Sequence, residues 1–318
     1  MTLPYNEPDR QRELDAMRLI ELLPQAVYDD IAKLASSACG TPVALVSLLD
    51  RERQWFKAHI GTDEKETSRD IAFCEHAIRQ PTRLLEVKDA RVDQRFAANP
   101  LVTAGPGIRF YAGMPLVTPS GHAVGTVCVW DTAPRELEDE QREALAALAR
   151  LTVHIMDTHR REQSLQRQVL LEQALVDAAV QSAPAATVAD AVEGFAVLII
   201  ELQRMANWVS SRGERHVERV LGELEQSVEQ ILQRHGGGHA SRVSGSGELI
   251  VLILGQDRDL AREVIEAHVG STGKLHDVEF LCAAATSGDA SERPESVYLR
   301  ADIALSGAKD RLDGTWTA

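Results

Sequence analysis

The chain has 318 residues, 44% hydrophobic and 26% charged, and its 48 acidic and 34 basic side chains leave a net charge of −14. This composition fits about two globular domains, and its acidic balance disfavours non-specific nucleic-acid binding by a basic face, while leaving room for a local basic pocket. Apolar runs such as 195–200 are too short to cross a bilayer and the first seventeen residues lack an apolar signal core, so a cytoplasmic chain without a membrane partner is expected.

Leu14, Met17, Ile20 and Leu23 recur at helical spacing until Pro24 ends the run. A second helix is predicted over 26–38, with Val27, Ile31 and Leu34 on its buried face. Residues 42–50 read as a strand and 54–60 as its hairpin partner. Residues 69–78 read as a loop running into a short helix, and 100–107 as a turn-rich loop. Two further strands are predicted over 108–117 and 123–130, around the turn Pro119-Ser-Gly-His122. A long helix follows from about 137. This order predicts an antiparallel sheet with helices against one face. None of the cysteines, Cys39, Cys74, Cys128 and Cys282, forms a CxxC pair, so buried reduced thiols are expected rather than disulfides or a zinc site.

Four blocks occur in order in this half: Phe73-Cys-Glu-His-Ala-Ile78, Asp93 with Arg95-Phe-Ala-Ala-Asn-Pro-Leu-Val102, Ile108-Arg-Phe-Tyr-Ala-Gly-Met-Pro-Leu116 and Gly125-Thr-Val-Cys-Val-Trp-Asp131. Together they resemble a bacterial GAF domain over about 20–160. The resemblance implies a sensing module for a small molecule or a protein, set ahead of an output domain and often dimeric through flanking helices. Trp55, Phe73, Cys74, His76, Arg109 and Tyr111 are the candidate pocket residues. Aromatic walls and one cation suit a small planar or anionic ligand of unknown identity. Alternatively Arg109 pairs with Asp93 or Asp131 and fixes its loop. Phe110 and Tyr111 are expected to divide between core and surface. Cys74 and His76 converge only if their segment is extended. Redox sensing by Cys74 or Cys128 is open.

Beyond 137, Leu148, Leu151, Ile155, Thr158, Glu162, Leu165, Val169, Glu172, Val176 and Ala179 alternate steps of three and four. This heptad spacing predicts a connecting signalling helix over 137–182 that self-associates as a coiled coil, although Thr158, Glu162 and Glu172 interrupt its seam. The other possibility is a helix folded back on its own domain. The polar stretch 157–163 reads as solvated, and Ala183-Pro-Ala-Ala186 marks the boundary.

The second half begins with a predicted strand over 195–202. A helix follows over 214–234, its buried face formed by Val217, Val220, Leu221, Leu224, Val228, Ile231 and Leu232. Then come a hairpin of 239–243 and 248–254 around Ser244-Gly-Ser-Gly247, a helix over 258–268, a strand over 278–285 and a last helix over 296–311. The order βαββαβ is the ferredoxin-like arrangement. Three anchors resemble the GGDEF family of diguanylate cyclases: Leu299-Arg-Ala-Asp-Ile-Ala-Leu-Ser-Gly-Ala-Lys309, the hairpin Gly245-Ser-Gly-Glu-Leu249, and the first strand around Leu198-Ile-Ile-Glu-Leu-Gln203. The fold class expected is therefore α+β, with a GAF domain over 1–160, the connecting helix, and a ferredoxin-like, nucleotidyl-cyclase-type GGDEF domain over 185–318.

The departures from that family bear on activity. The resemblance implies two Mg²⁺ ions held by acidic residues at the end of the first strand and in the signature turn. Glu201 keeps the first place and Glu248 the fourth signature position, but the third is Gly247, which offers no ligand, and the second is Ser246. The guanine-reading Asn corresponds to Val209 and its Asp partner to Glu218. The Phe-Lys pair corresponds to Met205-Ala206. Lys309 survives, but the Arg four residues beyond it corresponds to Asp313. The inhibitory product site corresponds to Gly236-Gly-Gly-His239. Together these changes predict a silent domain needing no cofactor or metal, with Glu201, Glu248 and Lys309 as vestiges. The expected function is a sensor and interaction protein with an unknown signalling protein as partner. The alternatives are a divergent cyclase using GTP and Mg²⁺ at Glu201 and Glu248, and a ligand-free dimeric scaffold.

Overall fold

A computed structural model describes residues 6–17, 26–181, 194–289 and 292–312. The chain divides into two compact units between Arg160 and Arg161. Ile20, Leu23 and Pro24, the boundary at 183–186 and Asp313 lie outside the described residues, as do the side chains of Val176, Ala179 and Ala206.

The first unit contains α1 (Glu7–Met17), α2 (Ala26–Cys39), β1 (Val43–Leu49), β2 (Arg53–Ile60), β3 (Glu66–Ser68), α3 (Phe73–Ile78), β4 (Leu85–Val87), α4 (Pro100–Thr103), β5 (Phe110–Val117), β6 (Ala123–Asp131) and the start of α5 (Asp139–Gln181). Its strands form one antiparallel sheet in the order β3-β2-β1-β6-β5-β4. The three-residue edge strands β3 and β4 are too short to show a period of two, and pattern reading passes over them.

The sheet is covered on both faces, which corrects the expectation of helices on one. Every residue of β1 is buried. Val43, Leu45 and Leu49 belong to the core packed with Phe73, Cys74 and Ile78 of α3, while Ala44, Val46 and Leu48 are buried on the alternate side. Phe110 and Tyr111 are consequently both buried rather than split between core and surface. The face of α2 also differs from expectation. Tyr28, Ile31, Ala32, Ala35 and Cys39 are its buried residues, whereas Val27 and Leu34 are exposed. Ile31 keeps its predicted place, but the buried stripe runs through Tyr28, Ala32, Ala35 and Cys39, which recur in steps of four and three.

The second unit contains the rest of α5, then β7 (Phe195–Leu202), α6 (Met205–Arg212), α7 (Glu214–Arg234), β8 (Gly238–Arg242), β9 (Glu248–Leu254), α8 (Arg258–His276), β10 (Phe280–Thr286) and α9 (Pro294–Leu312). The sheet order is β10-β7-β9-β8, with every neighbouring pair antiparallel. One face packs on α7 and α8 through Leu224, Val228, Ile265 and Val269. The other packs on α9 through Val297, Ala301 and Leu305, and takes Leu171 of α5. The short helix α6 was not expected. Helix α8 runs eight residues past its predicted end, through Gly270 and Gly273. A side chain at Gly273 would meet the carbonyl oxygen of Val278 at 2.8 Å, so glycine there lets the returning chain pass the helix.

In α5, Leu145, Ala149, Thr152 and Met156 are buried, while Leu151, Leu165 and Val169 are exposed. The stretch 157–163 is not wholly solvated, because Asp157 and Gln163 are buried and Asp157 pairs with Arg160.

Candidate functional site

Two clusters of functional side chains stand out, one in each unit. In the first unit, β1 and β6 are apolar strands that each carry one buried hydroxyl, Ser47 and Thr126, opposite each other in the register. Both reach the thiol of Cys74 on α3. Thr126 Oγ1 donates to the sulfur at 3.0 Å and Ser47 Oγ at 3.5 Å. From β2, Gln54 Nε2 donates at 3.1 Å. The Tyr111 hydroxyl lies at 3.2 Å and Cys128 Sγ at 3.8 Å. Tyr111 reaches the sulfur by lying across Gly113, where a Cβ would stand 2.1 Å from the hydroxyl.

A neutral thiol is a weak acceptor, so this ring of donors favours a thiolate. Burial raises the Cys74 pKa, but hydrogen bonds from Cys128, Ser47, Thr126 and Tyr111 outweigh it and bring it to about 6. The neighbours move the other way. The hydrogen bond to Cys74, then burial and the Cys74 charge, hold Cys128 well above its ordinary value. Burial, followed by the charges of Cys74 and Cys128, raises Tyr111. The donors thus favour charge on the Cys74 sulfur over Cys128 and Tyr111, whose own pKa values move up.

Cys74 and Cys128 line a cavity of about 80 Å³. Its walls are apolar, with Leu45, Phe56, Phe73, Ile108, Tyr111 and Trp130, and Gln54, Thr62, Glu64 and Thr67 give its polar lining. Of the candidate pocket residues, Phe73, Cys74 and Tyr111 meet here. Trp55 does not. It shares its face of β2 with Lys57, whose ammonium lies over the rings of Tyr28 and Trp55, whereas Gln54 and Phe56 point to the cavity. The bulge between Val46 and Ser47 in the β1–β2 pairing shifts the register that simple counting assumes. His76 turns away as well, because 73–78 is helical rather than extended, and it packs edge-on against Phe96 at 4.8 Å. Arg109 fixes its loop, but through the carbonyls of Val102 (2.8 Å) and Ile108 (3.2 Å) rather than through a carboxylate. Asp93 and Asp131 pair instead with Arg95 and Arg135. Ser47, Gln54, Thr126 and Gly113 escaped sequence reasoning, although a lone hydroxyl inside each of two apolar strands was a usable signal.

In the second unit, Glu201 and Glu248 face each other across β7 and β9. Both are buried. Glu201 Oε1 accepts from Lys309 Nζ at 2.5 Å and from Gln203 Nε2 at 3.0 Å. Glu248 receives Arg167 of α5, with Nη2 at 2.9 Å and Nε at 3.1 Å from Oε2, and the Tyr298 hydroxyl at 2.8 Å on Oε1. Lys309 therefore joins Glu201, while Arg167 and Tyr298 are partners that no sequence pattern signalled. At Gly247 a side chain would start 3.0 Å from Leu202 Cβ and 3.2 Å from Met205 Sδ. Glu218 is engaged elsewhere, with Arg242 at 2.9 Å. This donor set does not fit a pair of divalent cations, because each carboxylate already serves a cationic side chain and the turn leaves little space for a third ligand. Among the described residues no group of three or more His, Cys, Asp or Glu side chains is arranged to hold a metal ion. No helix there is long and apolar enough to cross a membrane.

Residues 23–153 match the family model of the GAF domain, so the first unit carries a GAF domain. A cyclic di-GMP phosphodiesterase of Pseudomonas aeruginosa is 42% identical over 157 residues, which are 48% of this chain. The matched stretch spans 27% of that relative's length. Among solved structures, the GAF domain of an Acinetobacter phosphoenolpyruvate-protein phosphotransferase aligns with a TM-score of 0.37 at 15% identity, over 48% of this chain and 93% of that one. Free methionine-R-sulfoxide reductase of Neisseria meningitidis aligns with a TM-score of 0.37 at 14% identity, over 51% and 97%.

Proposed function

We propose that this chain is a signal-transduction protein whose GAF domain takes in a stimulus and whose second domain, a degenerate GGDEF domain over 185–318, relays it without making cyclic di-GMP. The observation that carries this reading is the pairing of Glu201 with Lys309 and of Glu248 with Arg167 inside the second unit. Freeing either carboxylate for Mg²⁺ would break its ion pair with a half-buried cation, a loss on the order of 1–3 kcal/mol. The antiparallel sheet order β10-β7-β9-β8 and the hairpin at 238–254 support a ferredoxin-like, cyclase-type fold. The relative that acts on cyclic di-GMP supports a place in the signalling that uses this nucleotide. The exposed apolar residues of α5 support self-association through that helix, with a further signalling protein as the recipient.

The test is GTP turnover. Purified full-length protein with GTP and either Mg²⁺ or Mn²⁺ is expected to yield no cyclic di-GMP by chromatography and mass spectrometry. Product that disappears in Glu201→Ala would overturn the silent reading and favour the divergent cyclase.

A further inference from the structure

The sulfur cluster of the first unit has a chemistry that the relay does not use. Cys74 sits in a ring of donors, Cys128 is its sulfur neighbour at 3.8 Å, and both line the same small cavity. We propose that this cavity is a reaction site for a small hydroperoxide, with Cys74 as the attacking sulfur and Cys128 as the resolving thiol. It gives the sensor a chemical stimulus, and rests on the proposed relay only for that biological meaning.

The geometry favours this class of oxidant over the other common one. A dithiol is oxidised either by exchange with a disulfide or by a peroxide. Exchange needs the oxidant's own sulfur in line with Cys74, carrying its substituents with it. A cavity of about 80 Å³ is smaller than the roughly 150 Å³ that admits benzene, so it has no room for a glutathione disulfide. Hydrogen peroxide is little larger than water and fits. Its second oxygen must leave as hydroxide or alkoxide, which needs a proton, and the Tyr111 hydroxyl lies 3.2 Å from the sulfur.

The steps balance. The Cys74 thiolate attacks the terminal oxygen of ROOH, the O–O bond breaks, and a sulfenic acid forms. The leaving RO⁻ takes a proton through Tyr111, which solvent replaces, giving ROH. The Cys128 thiol then attacks the Cys74 sulfur. The S–O bond breaks, hydroxide leaves with the thiol proton as water, and the disulfide forms. Two thiols lose two electrons and the peroxide gains them. Cys39 is buried and Cys282 half-buried, and among the described residues neither has a comparable ring of donors. Burial pushes Cys39 up to about 11 and, with the charge of Glu266, Cys282 up to about 12. They serve as controls within the same molecule.

Reduced full-length protein is treated with hydrogen peroxide, quenched with a thiol alkylator in denaturant, and mapped by peptide mass spectrometry. The expected result is a Cys74–Cys128 disulfide forming at least tenfold faster than any oxidation of Cys39 or Cys282. In Cys128→Ser, unfolding the peroxide-treated protein in denaturant that contains dimedone is expected to trap a sulfenic acid on Cys74. Thr126→Val, close in shape but without the donor, is expected to slow Cys74 oxidation at least threefold with the circular dichroism spectrum unchanged. Oxidised glutathione is expected to leave Cys74 unmodified. Equal oxidation of all four cysteines, an inert Cys74, or a glutathione adduct on Cys74 would each overturn the proposal. The comparison among cysteines in the parent chain stands even where a variant fails to fold. An inert Cys74 leaves the relay reading untouched, and cyclic di-GMP production leaves the sulfur chemistry untouched, so the two failures are told apart.

Discussion

Lys57 shows how one side chain makes stability depend on pH. It is buried on the face of β2 that meets α2, with its ammonium 5.4 Å from the ring centres of Tyr28 and Trp55. Burial lowers its pKa from 10.5 to about 8, against the opposing attraction of Asp29. Below pH 8 both folded and unfolded chains hold the proton, and the folded state bears the full cost of the buried charge. Between pH 8 and 10.5 the unfolded chain binds more protons than the folded one, so this residue makes stability rise with pH across that window. Lys57→Met keeps the stem and deletes the charge. At pH 7 it is expected to stabilise the first unit by about 1–3 kcal/mol, the electrostatic gain being reduced by the lost cation–π contacts. Urea titrations of variant and parent at pH 7, 8.5 and 10 check this. The gap should narrow as pH rises, and a pH-independent gap would assign the change to packing alone.

Between elements, the bond from Arg167 on α5 to Glu248 at the start of β9 is the contact with the sharpest energetic signature. Arg167→Met strands a buried carboxylate and is expected to cost about 3–5 kcal/mol. Arg167→Met with Glu248→Gln removes both charges and should recover at least half of that loss, so that a cycle with Glu248→Gln alone gives a coupling energy of at least about 2 kcal/mol in thermal or urea melts. Additive losses would mean that the pair does not act as a unit. The same turn limits repair of the proposed cyclase signature. Gly247→Asp places a side chain against Leu202 and Met205, so it is expected to destabilise the second unit by about 1–3 kcal/mol while GTP turnover stays absent. At this scale the central strands were legible, because β1, β5, β6, β7 and β9 are apolar runs bounded by turns, and β2 follows β1 as its hairpin partner. Helix α7 was legible too, with Val217, Val220, Leu221, Leu224, Val228 and Leu232 buried as spaced. The edge strands, α6 and the buried face of α2 were not. They depend on pairing partners and on which stripe of a helix meets the sheet, which local periodicity does not encode. The donors around Cys74 were hidden for a related reason: they come from four separate elements that only the folded sheet brings together.

On the scale of the whole molecule, the long helix α5 sets the question of assembly. Leu145, Ala149, Thr152 and Met156 are spent on packing inside the first unit and Leu171 inside the second. Leu151, Leu165 and Val169 lie on another stripe and remain exposed, at 46%, 63% and 61%. Leu151, Thr158 and Leu165 recur every seven residues, the spacing of a two-stranded seam, and Val169 follows four residues on. The exposed polar residues Thr158 and Glu162 lie between the apolar ones, so the pairing is expected to be moderate. A dissociation constant near 1 μM, about 8 kcal/mol, is the scale of such a seam. Sedimentation equilibrium of the full chain between 0.2 and 50 μM should pass from monomer to dimer. Leu165→Glu with Val169→Glu puts like charges on the stripe of both partners. Because neither side chain is part of a core, the variant should keep its circular dichroism spectrum, and its melting temperature should match the parent's at concentrations where both are monomers. It should stay monomeric at least tenfold higher in concentration than the parent. A parent chain that is monomeric at 50 μM would remove the seam from the account, and a dimer that survives both substitutions would move the interface to another surface.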